Sequence, residues 1–301
     1  MNQRILVTGS SGLVGTAIRS LLAAKGIETV CLDLKAQGAS CGDIRNKEDV
    51  RRLMAGVDGV IHLAAVSRVV WGQKNPELCW ETNVTGVKNV LDAAGEASSR
   101  PWVISASSRE VYGEAEHLPV SEDMPLRPMN IYGRSKAEGE RLVAEAAKVG
   151  MKACTIRLSN VYGSVDDHED RVVPAFARAA AFGDELRVQG EKNTFDFTYI
   201  DDVARGIVLL AEFLASENAA PSPVHFVTGK PTTLGQLADK AIAIGAPGCR
   251  KKQEASRNYD VARFYGNPER AGSLLGWKPT VFIDEGLERL VKAFRDSAAK
   301  V

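Results

Sequence analysis

The chain has 301 residues, and 38 Lys and Arg against 38 Asp and Glu give a formal net charge of zero. Hydrophobic residues at 45% and charged residues at 25% are ordinary for a globular protein, which excludes disorder and fibrous structure. The balance also excludes a globally basic nucleic-acid binder, and the longest basic run, Arg250-Lys251-Lys252, is too short to make a patch.

Short β-branched runs alternate with helical patterns through the first half. Ile5-Leu6-Val7-Thr8 reads as a buried strand. Val14, Ile18, Leu21 and Leu22 then recur at helical spacing over residues 13–25, and Gly26 stops the helix. Thr29–Leu32 reads as a strand, the stretch around Val50–Met54 as a helix, and Val60–Leu63 as a strand. A long helix over 76–97 leads to the strand Trp102–Ser105, and another over 131–149 leads to Ala153–Ile156. Such alternation predicts an α/β fold, a doubly wound parallel (Rossmann) sheet with helices on both faces. The second half is less regular. It reads as helix over 172–182, strand Asp196–Ile200, helix 201–215, a surface loop over Ala215–Pro223, and helices near 233–244, 267–275 and 284–297. A smaller mixed C-terminal substrate lobe accounts for it. The division expected is residues 1–158 and 196–227 for the cofactor, and 159–195 and 228–301 for the substrate lobe.

Five widely spaced cysteines form no C-x-x-C pair, which argues against a disulfide framework or a zinc ribbon. Four isolated histidines offer no metal cluster, and the acidic loop Asp166–Asp170 lacks regular ligand spacing. No stretch reaches the roughly 18 apolar residues of a spanning helix, and Met1–Arg4 leads straight into strand with no room for a signal peptide. The expectation is a reduced, cytoplasmic protein that holds no metal and no membrane contact.

Gly9, Gly12 and Gly15 follow the first strand in a G-x-x-G-x-x-G pattern and open the first helix. Gly9 suits the tight turn, Gly12 the approach of a pyrophosphate to the helix N-terminus, and Gly15 close packing of helix on sheet. Asp33 ends the next strand about 18 residues after Gly15. An acid there accepts hydrogen bonds from the ribose of NAD and repels the extra phosphate of NADP. The predicted cofactor is NAD. Tyr132 and Lys136 lie four apart and project from one helix face, a spacing that lets an ammonium and an oxidised nicotinamide draw a phenol towards neutral pH. Ser105-Ala106-Ser107-Ser108-Arg109-Glu110-Val111-Tyr112-Gly113 sits at the ligand-binding edge of the sheet.

At these residues the sequence resembles the extended short-chain dehydrogenases/reductases, in the NAD-dependent nucleotide-sugar epimerase/dehydratase family. The likeness runs nearly the whole length. It takes in Gly42-Asp43-Ile44-Arg45, His62-Leu63-Ala64-Ala65, Asn83-Val84-Thr85-Gly86, Arg157–Gly163, Asp196–Val203 and Leu275-Gly276-Trp277-Lys278-Pro279. The resemblance implies that Tyr132 is the acid/base, tuned by Lys136, with Ser108 at the Ser/Thr position of the site. It implies cofactor contacts at Leu13, Val14, Asp43, Ile44, Leu63, Ala64, Ala65 and Asn83. Ser107 and Asn160 would contact the substrate, and Arg257 would clamp its diphosphate. It also implies a homodimer packed through the helices near 76–97 and 131–149, and a nucleotide-sugar substrate, a UDP-sugar by preference.

Two departures bear on the reaction. The sugar 4,6-dehydratases carry an Asp-Glu pair where this chain has Arg109-Glu110, so the proton donor for loss of water is missing. Glu110 could still act as a base, as in the related decarboxylases, and Arg109 either meets an anionic sugar or bonds Glu114. Phe195 stands where the family usually has an arginine on the nucleotide phosphates, with Lys192 nearby, and it either alters that contact or fills core volume. Phe264, seven residues past Arg257, is expected near the sugar pocket. His62 reads as a satisfied core histidine and Trp277 as an anchor for the C-terminal lobe. The reading is a C4 epimerase working through a 4-keto sugar. Decarboxylase, 4,6-dehydratase and sugar oxidoreductase share the first oxidation, and a non-enzymatic NAD sensor would not need Tyr132, Lys136 and Ser108 together.

Overall fold

Residues 3–216, 219–255 and 261–299 are described by a computed structural model of the chain. The first half follows the predicted alternation: β1 (Arg4–Thr8), α1 (Leu13–Ala24), β2 (Glu28–Leu32), α2 (Lys47–Met54), β3 (Gly59–His62) and a short α3 (Val69–Lys74). The helix expected over 76–97 comes in pieces, α4 (Pro76–Trp80), a π-helical turn Glu81–Thr85, and α5 (Gly86–Glu96). Asn83 sits in that wide turn with its side chain inward, and the turn's widening is the kind of defect that marks functional sites. Next come β4 (Trp102–Ser108), a 3-10 turn Arg109–Val111, α6 (Ile131–Lys148) and β5 (Ala153–Leu158). β4 runs three residues beyond its apolar stretch because Ala106, Ser107 and Ser108 keep pairing with Ile156, Arg157 and Leu158.

The second half holds β6 (Asn160–Tyr162), α7 (Val172–Phe182), β7 (Glu185–Gln189), β8 (Thr194–Tyr199) and α8 (Ile200–Ser216). It continues through β9 (Val224–Phe226), β10 (Pro231–Thr233), α9 (Leu234–Ala243), β11 (Arg250–Glu254), α10 (Glu269–Leu275) and α11 (Ile283–Ala298). Six parallel strands make the central sheet in the order β2-β1-β3-β4-β5-β9. β8 lies between β10 and β6 in a three-stranded sheet, and β11 pairs with β7.

Both faces of the central sheet are buried, which explains its continuous apolar strands. Ile5 and Val7 point to the side of Ile18, Leu22, Ile207 and Leu210 on α1 and α8. Leu6 and Val60 point to the side of Met54, Val90, Leu91 and Val143 on α2, α5 and α6. The chain leaves β1 for β2 on one side and returns to β3 on the other. That reversal opens a crevice beyond the carboxyl ends of β1 and β3, at Thr8 and His62.

Trp277 is fully buried, packs its ring 5.2 Å from that of Phe226, and donates Nε1–H to the carbonyl of Asp202. Asp202 also accepts the N–H groups of Thr280 and Val281 and the Thr280 hydroxyl. The segment after α10 is therefore pinned to α8.

Candidate active site

The cofactor crevice begins at the end of β1. Gly9 adopts φ +68°, and a Cβ there would stand 2.7 Å from the Ala64 nitrogen. The loop thus rests directly on the backbone leaving β3. A Cβ on Gly15 would stand 2.3 Å from the Gly9 carbonyl oxygen. Gly15 therefore lets α1 close on the glycine loop itself, where sequence reasoning placed its contact on the sheet. Gly12 caps α1 without a side chain, and the first turn carries no acidic residue. The N–H groups of Leu13 and Val14 are among those a helix leaves without intrahelical partners. Beside them the Ser10 hydroxyl is buried with no hydrogen-bond partner. A donor-rich, side-chain-free helix end of this kind fits a pyrophosphate.

Asp33 does more than end a strand. Its Oδ2 accepts the Ser11 N–H at 2.9 Å and its Oδ1 accepts the Lys35 N–H at 2.8 Å, so it braces the glycine loop. Asp43 receives the guanidinium of Arg45 on both oxygens, a hydrogen bond that holds its carboxyl below the usual range. Ile44 is buried, and the Asn89 amide donates to the carbonyls of Ile44 and Arg45. This fixes the turn at the crevice mouth.

On the β3 side, Thr8 Oγ1 lies 2.7 Å from His62 Nδ1 and accepts the N–H groups of Leu63 and Ala64. Burial pushes His62 down to about 3, so it stays neutral, in keeping with a satisfied core histidine. Ala65 precedes Val66, whose N–H donates to Asn83 Oδ1 at 2.8 Å. Asn83 Nδ2 in turn donates to the Val66 carbonyl and to Ser135 Oγ at 2.9 Å. The sequence suggested a cofactor contact for Asn83. The structure shows its amide bracing this loop against α6, because the π-turn points it inward.

Tyr132 and Lys136 are both buried on α6. Asn130 caps the helix by accepting the Gly133 N–H. Lys136 Nζ donates to the Ala106 carbonyl at 2.9 Å, which ties α6 to the end of β4. Ser108 is the hydrogen-bond partner of the Tyr132 phenol and accepts the Glu110 N–H at 3.3 Å. Burial pushes Tyr132 up to about 12, while the Ser108 hydrogen bond and the charge of Arg171 work against it. Sequence reasoning gave the lowering role to Lys136 acting together with an oxidised nicotinamide. Among the protein's own groups Arg171 is the cation acting on the phenol, and desolvation outweighs it, so that the phenol stays protonated on the protein's charges alone. Burial also brings Lys136 down to about 8.

Glu110 has both oxygens engaged. Oε2 accepts from Asn130 Nδ2 at 2.8 Å, and Oε1 lies 3.0 Å from Arg109 Nη2. Arg109 bonds Glu110 rather than Glu114, whose carboxylate instead accepts the Ala262 N–H. The Arg109 guanidinium stacks 4.5 Å over the ring of Phe195, so the arginine absent at 195 is matched by one arriving from the turn after β4. Ser107 Oγ, Arg109 Nη1 and Asn160 Nδ2 are buried without partners. An unmet buried donor costs about 1–3 kcal/mol, which a ligand acceptor would return.

Phe264 is not a pocket wall. It is 1% exposed and stacks on Tyr112 in a separate small core with Val111, Val120 and Val227. Arg257 lies outside the described residues. In the acidic loop Asp170 pairs with Arg68, Asp167 with Arg171 and Glu169 with Arg178. Among the described residues no three His, Cys, Asp or Glu are grouped to hold a metal, and no helix is long and apolar enough to cross a membrane. A cavity of about 630 Å³, lined by Phe197, Lys230, Thr232, Gln236 and Phe282 among others, includes none of the predicted site residues. Sequence reasoning missed Asn130, Ser135 and Arg171. The first was legible as an N-cap three residues before Gly133, whereas the others act through tertiary contacts alone.

The family model described as the NAD dependent epimerase/dehydratase family matches residues 5–226. The provisionally named UDP-glucose 4-epimerase of Methanocaldococcus jannaschii is 31% identical, with 97% of this chain and 99% of that protein covered. The UDP-glucose 4-epimerase of Thermus thermophilus, solved with NAD, superimposes with a TM-score of 0.86 at 28% identity, over 97% and 99% of the two chains. A dTDP-glucose 4,6-dehydratase from Streptomyces venezuelae, also with NAD bound, gives 0.88 at 27% identity, over 99% and 98%.

Proposed function

Because the chain belongs to the NAD-dependent epimerase/dehydratase family, we propose that it is a nucleotide-sugar epimerase acting at C4 through a 4-keto intermediate, a UDP-sugar being the favoured substrate. NAD is its cofactor. Gly9, Gly12, Leu13 and Val14 would hold the pyrophosphate, Asp33 one ribose, Asp43 and Ile44 the adenine, and Leu63, Ala64, Ala65 and Lys136 the nicotinamide end. Bound NAD supplies two-electron redox chemistry at the sugar carbon.

The observation that carries the reading is the buried Tyr132 phenol with the half-buried Ser108 as its hydrogen-bond partner, beside a Glu110 already committed to Asn130 and Arg109. Burial alone keeps the Tyr132 phenol protonated, so its role as base would depend on the positive charge of bound oxidised NAD beside it. As the phenolate it would take the proton of the C4 hydroxyl and later return it. Ser108 holds the developing C4 oxygen by a hydrogen bond, and Lys136 keeps its ammonium at the end of β4. Each Glu110 oxygen already holds a donor, Asn130 on one and the Arg109 guanidinium on the other, which favours return of the keto sugar over dehydration. Ser107, Asn160 and Arg257 would position the rest of the substrate. The proposal keeps residues 1–158 and 196–227 as the cofactor unit and the remainder as the sugar lobe. It includes a cytoplasmic homodimer packed through α4, α5 and α6, where Trp80 is exposed.

The test is to incubate the protein and NAD with UDP-, dTDP-, GDP- and CDP-sugars and follow products by NMR. Inversion at C4 supports the reading. A pentose, a 6-deoxy-4-keto sugar or an unchanged panel refutes it. Tyr132→Phe should lower turnover by at least about a thousandfold while NAD stays bound.

A further inference from the structure

We propose that Arg109 reads a carboxylate on the sugar ring, so that this site takes a nucleotide-linked uronic acid in preference to a neutral hexose. The inference rests on the C4 reading above, because Tyr132 and Ser108 are what locate the sugar. The residue after Ser108 is Arg109, and the 3-10 turn Arg109–Val111 folds its side chain back over Phe195 rather than out to solvent. Its side chain is only 11% exposed. A group that reaches the neighbourhood of the C4 oxygen meets the ring substituents next to C4, and on the C5 side that substituent is C6.

The unmet donors around Arg109 point to the substituent at C6. Glu110 takes only the Nη2 side of the guanidinium, Glu110's other oxygen is held by Asn130, and Arg109 Nη1 is buried with no acceptor. Ser107 Oγ, two residues back, and Asn160 Nδ2, at the start of β6, are unpartnered in the same way. Asn160 pairs in register with Phe197, whose ring is 6.3 Å from that of Phe195, so it belongs to the same wall as Arg109. A sugar hydroxyl brings a donor with every acceptor, whereas a carboxylate brings acceptors alone. A planar guanidinium against an apolar ring is the group best suited to bind it. Arg171, paired with Asp167 at 3.6 Å, adds a second cation acting on this site.

The experiment compares the NAD-loaded protein with Arg109→Gln, Arg109→Lys and the double variant Arg109→Gln/Glu110→Gln, which leaves no buried carboxylate unpaired. Each is given UDP-glucuronate and UDP-glucose, with products read by NMR. For the unaltered protein kcat/KM should favour the uronate by about tenfold or more, and both Gln variants should bring that ratio close to one, mainly through KM. Arg109→Lys should keep part of the preference. A ratio near one in the unaltered protein, or equal losses on both sugars, overturns the proposal. Calorimetry with UDP alone separates the other anionic source: a loss on Arg109→Gln as large as that for UDP-glucuronate assigns Arg109 to the diphosphate and also overturns it. If the uronate is preferred through Arg109 but yields a pentose, the epimerase reading falls and the carboxylate assignment stands. If a neutral sugar is inverted at C4 without regard to Arg109, the reverse holds.

Discussion

Lys136→Met should stabilise the cofactor-free protein near neutral pH and lose that advantage in alkali. Burial lowers this ammonium from 10.5 to about 8, although it donates to the Ala106 carbonyl. A lysine with a folded value below its unfolded value opposes folding while it is charged in both states. As pH rises from about 8 to 10.5, the unfolded chain holds the proton that the folded one has released, and stability climbs. At about 1.4 kcal/mol for each tenfold change, the climb is about 3 kcal/mol. Removing the side chain abolishes the climb. It also leaves the Ala106 carbonyl without its donor, a cost of about 1–3 kcal/mol that does not depend on pH. The change of the difference with pH is therefore the safer quantity than its value at one pH. Urea unfolding of both proteins at pH 7 and near pH 10.5 measures it directly. Parallel pH profiles would refute the argument, since they would mean that Lys136 is not desolvated in the folded state.

Two further outcomes follow from buried geometry. Arg157→Met removes the fork that meets Glu140 through Nε and Nη2, and leaves a carboxylate buried at 7% exposure without its cation. The expected loss is about 3–5 kcal/mol by urea unfolding, and a loss below about 1 kcal/mol would show the pair to be dispensable. Gly15→Ala forces the first turn of α1 away from the Gly9 carbonyl, and should weaken NAD at least about tenfold in a fluorescence titration. Unchanged affinity would contradict the close approach of helix and loop.

The parts of this protein legible in its sequence are those set by local pattern. The strands β1 to β5 announce themselves because both sheet faces are buried, and the glycine loop does so because only glycine tolerates the contacts at Gly9 and Gly15. Tyr132 and Lys136 follow from helical spacing. What local pattern cannot carry is pairing at a distance. The three-residue strands β6 and β10 take their identity from β8, and β11 from β7. Asn83 reads as part of a motif, but its partners Val66 and Ser135 are 17 and 52 residues away. The sequence offers Arg109 either an anionic sugar or Glu114, and the 3-10 turn sends it to Phe195, 86 positions on in the chain. Phe264 failed for the opposite reason. An aromatic beside a presumed binding arginine suggests a pocket, whereas burial against Tyr112 makes it core.

The pinning of residues 277–281 to α8 has a consequence for how the protein is made. The edge strand β9 joins the central sheet only at residues 224–226, and Asp202, in the helix laid against α1, waits for Thr280 and Val281 to satisfy its carboxylate. A nascent chain that has delivered the glycine loop, Tyr132 and Lys136 therefore still has an open sheet edge and, at Asp202, a buried acid whose only partner so far among the described residues is Arg205 of its own helix. Synthesis adds about 5–20 residues each second, so the interval between α8 and Val281 leaves the nucleotide half exposed for several seconds. Completion of the cofactor half is thus tied to the arrival of the distal segment, and truncation before Trp277 should leave a chain that chaperones retain rather than a smaller NAD-binding protein.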